Sequence, residues 1–267
     1  MLDDFKAHSA FINQWVTQGF GGAMVKEKNM VDVDPHISQH FDTELHEIRT
    51  MVLAMGGLVE EQIANAIQAL QTGDSALARE IISRDYEVNN YEVRIEEECI
   101  GILARQQPAA GDLRLVMTII KTVADLERMG DKAAKIADMA LAMGHGLRSA
   151  SPAFLRDIDG MAKYALDMMR RAMDALARAD AEAAIEVAKG DEMLNQEYRS
   201  AMRRLITYML EDPRILTQAI DVLFIAKAIE RIGDHARNIC EYVIYLAKGK
   251  NVRHLPIEQV AESLQRE

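Results

Sequence analysis

The chain repeats itself, and that constrains its fold more than any other feature. Shifted by 106 residues, Asp74, Ala78, Glu80, Asp85 and Asn89 fall on Asp180, Ala184, Glu186, Asp191 and Asn195. Further on the offset is 103, and Glu127-Arg128-Met129-Gly130-Asp131 falls on Glu230-Arg231-Ile232-Gly233-Asp234. Self-similarity at such a period means one structural unit built twice. Within the first copy apolar residues recur at helical spacing: Leu45, Ile48, Val52, Met55, Val59, Ile63, Ile67 and Leu70. The breaks recur as well. Thr72-Gly73-Asp74 is answered by Ala179-Asp180, and Gln107-Pro108 by Asp212-Pro213. Gly144 to Pro152 separates the copies, with Ser151-Pro152 suited to an N-cap and first turn.

These breaks predict an all-α chain of two tandem three-helix bundles. Its six long antiparallel helices of roughly thirty residues would each be about 45 Å long at 1.5 Å rise per residue. The first unit is expected over 37–146 and the second over 147–250, joined near Arg148 to Ala153, with a C-terminal tail over 251–267. Residues 1–36 read as a mobile extension, interrupted by Gly19, Gly21 and Gly22 and holding the single tryptophan, Trp15. Composition agrees with helices: 49% apolar residues and sixteen methionines stand against five prolines.

A formal charge of −11, with no lysine/arginine run, argues against a nucleic-acid partner. No stretch approaches the roughly 20 apolar residues of a membrane helix, and the first thirty residues lack a basic, then apolar, leader pattern. Cys99 and Cys240 form no CxxC pair and sit in apolar-periodic stretches, where a free cysteine acts as a small core hydrophobe in a reducing cytoplasm. The methionine excess, as in Met168, Met169 and Met173, suggests helix faces that dock a second copy or a partner.

In each third helix a Glu and an Asp stand four residues apart on one face, Glu127 with Asp131 and Glu230 with Asp234. Like charges so placed destabilise a helix by a few tenths of a kcal/mol. Recurrence in both copies points to a compensating cation; the alternative is a solvated acidic face. In antiparallel helices residues equidistant from a turn lie level, which brings Asp85 opposite Asp131 and Asn89 opposite Glu127. The second copy repeats this with Asp191 opposite Asp234 and Asn195 opposite Glu230. Glu61 and Asp167 lie level with Asp85 and Asp191 on the first helices. Oxygen donors suit Mg²⁺, Ca²⁺ or Mn²⁺, and carboxylates also bridge iron; the residue types do not select among them. Gly130 and Gly233 stand just before the aspartates, where a close helix approach or packing alone would explain them.

Enzyme readings find little support. A di-iron oxidase bundle needs Glu-x-x-His pairs, and no histidine here has Glu three residues before it. His235, next to Asp234, could add a ligand or simply pack on the helix surface. Phosphate-loop, nucleophile-elbow and HExxH motifs are all missing from the sequence.

From about His36 to Lys250 the chain resembles the PhoU family. The resemblance rests on the two three-helix repeats, on Pro108-Ala109-Ala110-Gly111-Asp112-Leu113-Arg114, and on the two E-R-x-G-D segments. It implies a cytoplasmic, often dimeric negative regulator of phosphate-starvation signalling and phosphate uptake. Such a regulator is an adaptor rather than an enzyme, and links the phosphate ABC transporter, through its ATPase PstB, to the sensor histidine kinase PhoR. It also implies metal at Glu127, Asp131, Glu230 and Asp234. The chain departs from the pattern in its N-terminal extension and in its second copy, which has Asp212-Pro213-Arg214 in place of the P-x-A-G-D-L-R segment. The alternatives are a helical scaffold without metal and, behind it, a carboxylate-metal enzyme.

Overall fold

The structure, a computed structural model, describes residues 35–144, 152–253, 255–257 and 259–261. It is all-α: α1 (Pro35–Thr72), α2 (Ser75–Gln106), α3 (Ala110–Ala142), α4 (Pro152–Arg178), α5 (Ala181–Lys189), α6 (Asp191–Glu211) and α7 (Leu216–Lys248), with a 3-10 turn at Pro213–Ile215. No strand occurs among the described residues. The extension expected over 1–36 lies outside them, except that Pro35 and His36 open α1. So does most of the joint expected at Arg148 to Ala153, although α4 begins at Pro152.

The turns form where the local chemistry dictates. Gly73 ends α1 in the left-handed region, at φ 72°, which glycine enters without a Cβ penalty. Asp74 then caps α2, its carboxylate accepting from the backbone N–H groups of Ala76 and Leu77 at 3.0 Å each. The repeat-equivalent Asp180 caps α5 through the Ala183 N–H at 2.9 Å.

One expected helix is interrupted. The helix after Asp180 divides at Gly190, so there are seven helices instead of six. The Gly190 N–H donates to Val187 O at 3.0 Å, a tightened 3-10 contact. A Cβ on Gly190 would lie 2.6 Å from the Tyr164 hydroxyl, so that hydroxyl occupies the space any other residue would need.

The apolar stripe of α1 is buried from Leu45 to Leu70 and packs on α2 and α3, while α4 packs on α5, α6 and α7. Each unit is thus a three-sided bundle, the divided pair α5 and α6 standing in the second copy where α2 stands in the first. The units also pack on each other, α3 against α7 and α1 against α4. Lys121 lies beside Tyr242 and Tyr245, Asp125 beside His235, Asn238 and Tyr242, and Arg114 beside Gly249, so α3 and α7 run antiparallel.

One expectation changes with packing in view. Met168 and Met169 are 2% and 1% exposed and belong to the core, so these two offer no docking face, while Met173 is half-buried and packs against Gly56. In the segment after α7, Val252 and Val260 are buried in the core. Cys99 and Cys240 are free and fully buried, and burial pushes the Cys99 thiol up to about 12.

Candidate functional site

The glycines before the two aspartates set how closely the helices meet. A Cβ on Gly130 would touch Val88 of α2 and Gln62 of α1, at 3.3 and 3.4 Å. A Cβ on Gly233 would run into Leu194 of α6 and approach Met168 of α4. Val88 and Leu194 are repeat equivalents, as are Gln62 and Met168, so both units use one device: a missing side chain that lets three helices converge beside the carboxylates.

In the first unit the converging acids have little to neutralise them. Asp85 is half-buried with a buried Oδ1 that has no hydrogen-bond partner. Burial first, and then the charge of Asp131, raise its pKa, while Asn89 one turn on lowers it. Burial, Asp131 and Asp85 likewise raise Glu127, against partial relief from Arg128 and Lys132. Glu92, not singled out from the sequence, joins them: burial, Glu127, Glu96 and Asp131 raise it, against Arg128. Its spacing, seven residues after Asp85 and three after Asn89, was the available signal. Glu61 sits apart from this group, beside Arg84 at 3.9 Å.

The second unit brings together the equivalent acids and supplies its own cations. Glu230 is buried and accepts from Lys227 Nζ at 2.6 and 2.7 Å. Asp234 accepts from Arg231 at 3.0 Å. Buried Asp191 accepts from Arg237 at 3.2 Å and from Asn195 Nδ2 at 3.0 Å. Burial still raises the pKa of Asp191 and Asp234, with arginines opposing it in both and Lys227 also in Asp234. Lys227 and Arg237 stand where the first copy has Ala124 and Ala134, and Lys227 stacks over Tyr198, the counterpart of Glu92. Asp167 is exposed and pairs with Arg171 at 3.6 Å.

The residues present therefore fit a cation in the first unit better than in the second. An unpartnered buried carboxylate oxygen marks the former; lysine and arginine hydrogen bonds fill the latter. Among the described residues no three His, Cys, Asp or Glu side chains converge at ligating distance, so a bound ion would have to draw these rotamers inward.

A second polar cluster joins the two units and was not read from the sequence. Asp125, 1% exposed on α3, meets three groups of α7. His235 Nδ1 lies 2.7 Å from Oδ1, Asn238 Nδ2 donates to Oδ1 at 3.1 Å, and the Tyr242 hydroxyl donates to Oδ2 at 2.8 Å. His235 thus turns away from the acids of its own unit. The repeat could not reveal this cluster, because Asp125 corresponds to Ala228 and Tyr242 to Met139.

Comparison with known proteins places this architecture. The PhoU domain matches twice, over residues 52–140 and 158–243, once in each unit. The Phosphate-specific transport system accessory protein PhoU homolog of Pseudomonas aeruginosa is 44% identical over 230 residues, 86% of this chain and 94% of that protein. The Phosphate-specific transport system accessory protein PhoU of Escherichia coli (strain K12) is 42% identical over 84% of this chain and 92% of its own length. Among solved structures, PhoU from Pseudomonas aeruginosa superposes with a TM-score of 0.75 at 45% identity, covering 79% of this chain and all of that one. The phosphate transport system regulatory protein PhoU from Streptococcus pneumoniae gives 0.73 at 34% identity, covering 79% of this chain and 99% of its own. With both repeats matched and the relatives spanned nearly end to end, the chain belongs to the PhoU family.

Proposed function

We propose that this chain is a cytoplasmic regulatory adaptor of a phosphate-specific transport system, restraining phosphate uptake and starvation signalling by joining the transporter ATPase to a sensor histidine kinase. The observation that carries the reading is a pair of equivalent apolar ends. Near the α2–α3 turn Ile100, Leu113 and Met117 are exposed, and their repeat counterparts Ile206, Leu216 and Ile220 are exposed near the turn before α7. Because α3 and α7 run antiparallel, the two ends lie at opposite extremes of the molecule. Two separated docking ends suit a protein that bridges partners without chemistry of its own, and a homodimer through one of them is compatible with this reading. No helix of the described residues is long and apolar enough to cross a membrane.

Cation binding at Asp85, Asn89, Glu127 and Asp131, with Glu92 beside them, belongs to the same proposal. A hard divalent cation or iron there would neutralise the acids and tie α2 to α3. At Asp191, Asn195, Glu230 and Asp234 the protein's own lysine and arginines take that part.

The experiment introduces Leu113→Glu at one end and Leu216→Glu at the other, then measures co-purification with the ATPase and the kinase. Each charge should abolish capture of one partner while helicity and Tm stay at wild-type values. Full retention of both partners by both variants would refute the adaptor reading.

A further inference from the structure

The contact between α3, α7 and the segment after α7 encloses a cavity of about 250 Å³, lined by Lys121, Glu241, Tyr242, Tyr245, Asn251 and Arg253. Lys121 Nζ lies 5.6 Å from the Tyr242 ring centroid and 5.7 Å from that of Tyr245. Arg253 Cζ lies 5.8 Å from the same Tyr242 ring. Neither cation forms an ion pair among the described residues. The carboxylate in the lining, Glu241, is paired with Arg237 at 3.4 Å, which offsets its charge. Two turns before Lys121, Arg114 lies against Gly249 with a buried Nε that has no acceptor.

The wall is also rigid. The Tyr242 hydroxyl donates to buried Asp125, so its ring cannot swing, and burial of Val252 holds the neighbouring Arg253 backbone in place. Two cations lining one cavity beside a fixed ring suit a single compact dianion better than two separated charges. The volume leaves room for a modest organic group beside it.

We propose that this cavity binds a small phosphoryl dianion, either free phosphate or a low-molecular-weight phosphomonoester, through Lys121 and Arg253. The site is independent of the adaptor reading and of the carboxylate cluster. It belongs to the differences between the copies: Lys121 corresponds to Phe224, and Arg253 lies beyond the repeats.

Isothermal titration of the full chain, in chloride buffer, with inorganic phosphate, phosphoethanolamine and succinate tests it. Saturable binding of at least one phosphoryl probe is expected, with succinate at least about tenfold weaker. Whether the free ion or the ester binds tighter identifies the source. Lys121→Met and Arg253→Met should each weaken binding by about tenfold or more, whereas Arg214→Met, at an exposed arginine paired with Asp212, should not. Circular dichroism checks that the variants fold, and Lys121→Gln replaces Lys121→Met if that variant does not. Absence of saturable binding by either phosphoryl probe, equal affinity for succinate, or unchanged affinity in both cavity variants would each overturn the proposal.

Discussion

Single side chains in this protein are governed by whether a buried charge finds a partner. Asp85, Glu92 and Glu127 do not find enough of one, and their folded-state pKa values are raised, chiefly by burial and then by neighbouring acids. A carboxyl with a raised folded pKa favours the folded state when protonated, so its contribution is complete below the unfolded value and lost as pH rises through the folded one. In chelator, Tm should therefore climb as pH falls from neutrality toward the ordinary carboxylate range, about 4. Asp131→Asn should flatten that rise and, at pH 7 without metal, leave stability equal or higher by a few tenths of a kcal/mol. Added divalent metal should raise the wild-type Tm more than that of the variant. A flat wild-type profile with no response to metal would remove the cation from the proposal. Asp125 is the opposite case, a buried charge with three partners. Asp125→Ala strands His235, Asn238 and Tyr242 and should cost about 3–5 kcal/mol in urea unfolding, with Tyr242→Phe costing about 1–2. A loss under 1 kcal/mol for Asp125→Ala would show the cluster to be hydrated instead of buried.

Among the helices, the two glycines before the aspartates do different amounts of steric work. At Gly130 an added methyl meets Val88 and Gln62 at tight but yielding distances, so Gly130→Ala sets a helix-propensity gain of up to about 1 kcal/mol against mild compression, and should be near neutral. At Gly233 the same methyl collides with Leu194, and Gly233→Ala should destabilise by about 1–3 kcal/mol. Leu194→Ala in the same chain should recover part of that loss, because it opens the space the methyl needs. Additive single-variant losses in a double-mutant cycle would mean the glycine serves something other than this approach.

At the scale of the whole molecule the units are welded. The α3–α7 contact includes the Asp125 cluster, and the α1–α4 contact includes Arg170 Nε donating to Glu60 at 2.6 Å. Calorimetry should accordingly show one cooperative transition for the full chain, with van't Hoff and calorimetric enthalpies equal. Two resolved transitions, one per repeat, would mean the interface adds little to stability.

Much of this fold was legible in the sequence because helix position depends on local chemistry. The period of Leu45 to Leu70, the Asp74 and Asp180 caps and the proline-marked turns each act within a few residues, and the 106- and 103-residue offsets set the unit size. The acidic cluster was legible for a related reason: antiparallel helices joined by short turns fix which residues lie level, so Asp131 comes near enough to Asp85 for its charge to be felt there. Other features escaped because they depend on rotation and on neighbours distant in sequence. Met168 and Met169 turned inward, Gly190, where the helix divides, leaves the space that the Tyr164 hydroxyl of α4 occupies, and Lys227 and Arg237 neutralised one acid cluster while Ala124 and Ala134 left the other bare. Asp125 found His235, Asn238 and Tyr242 at separations of 110, 113 and 117 residues. A repeat determines what is alike in two units; tertiary packing decided where they differ, within the second unit at Gly190, Lys227 and Arg237 and between the units at Asp125, because equivalent residues there meet different neighbours.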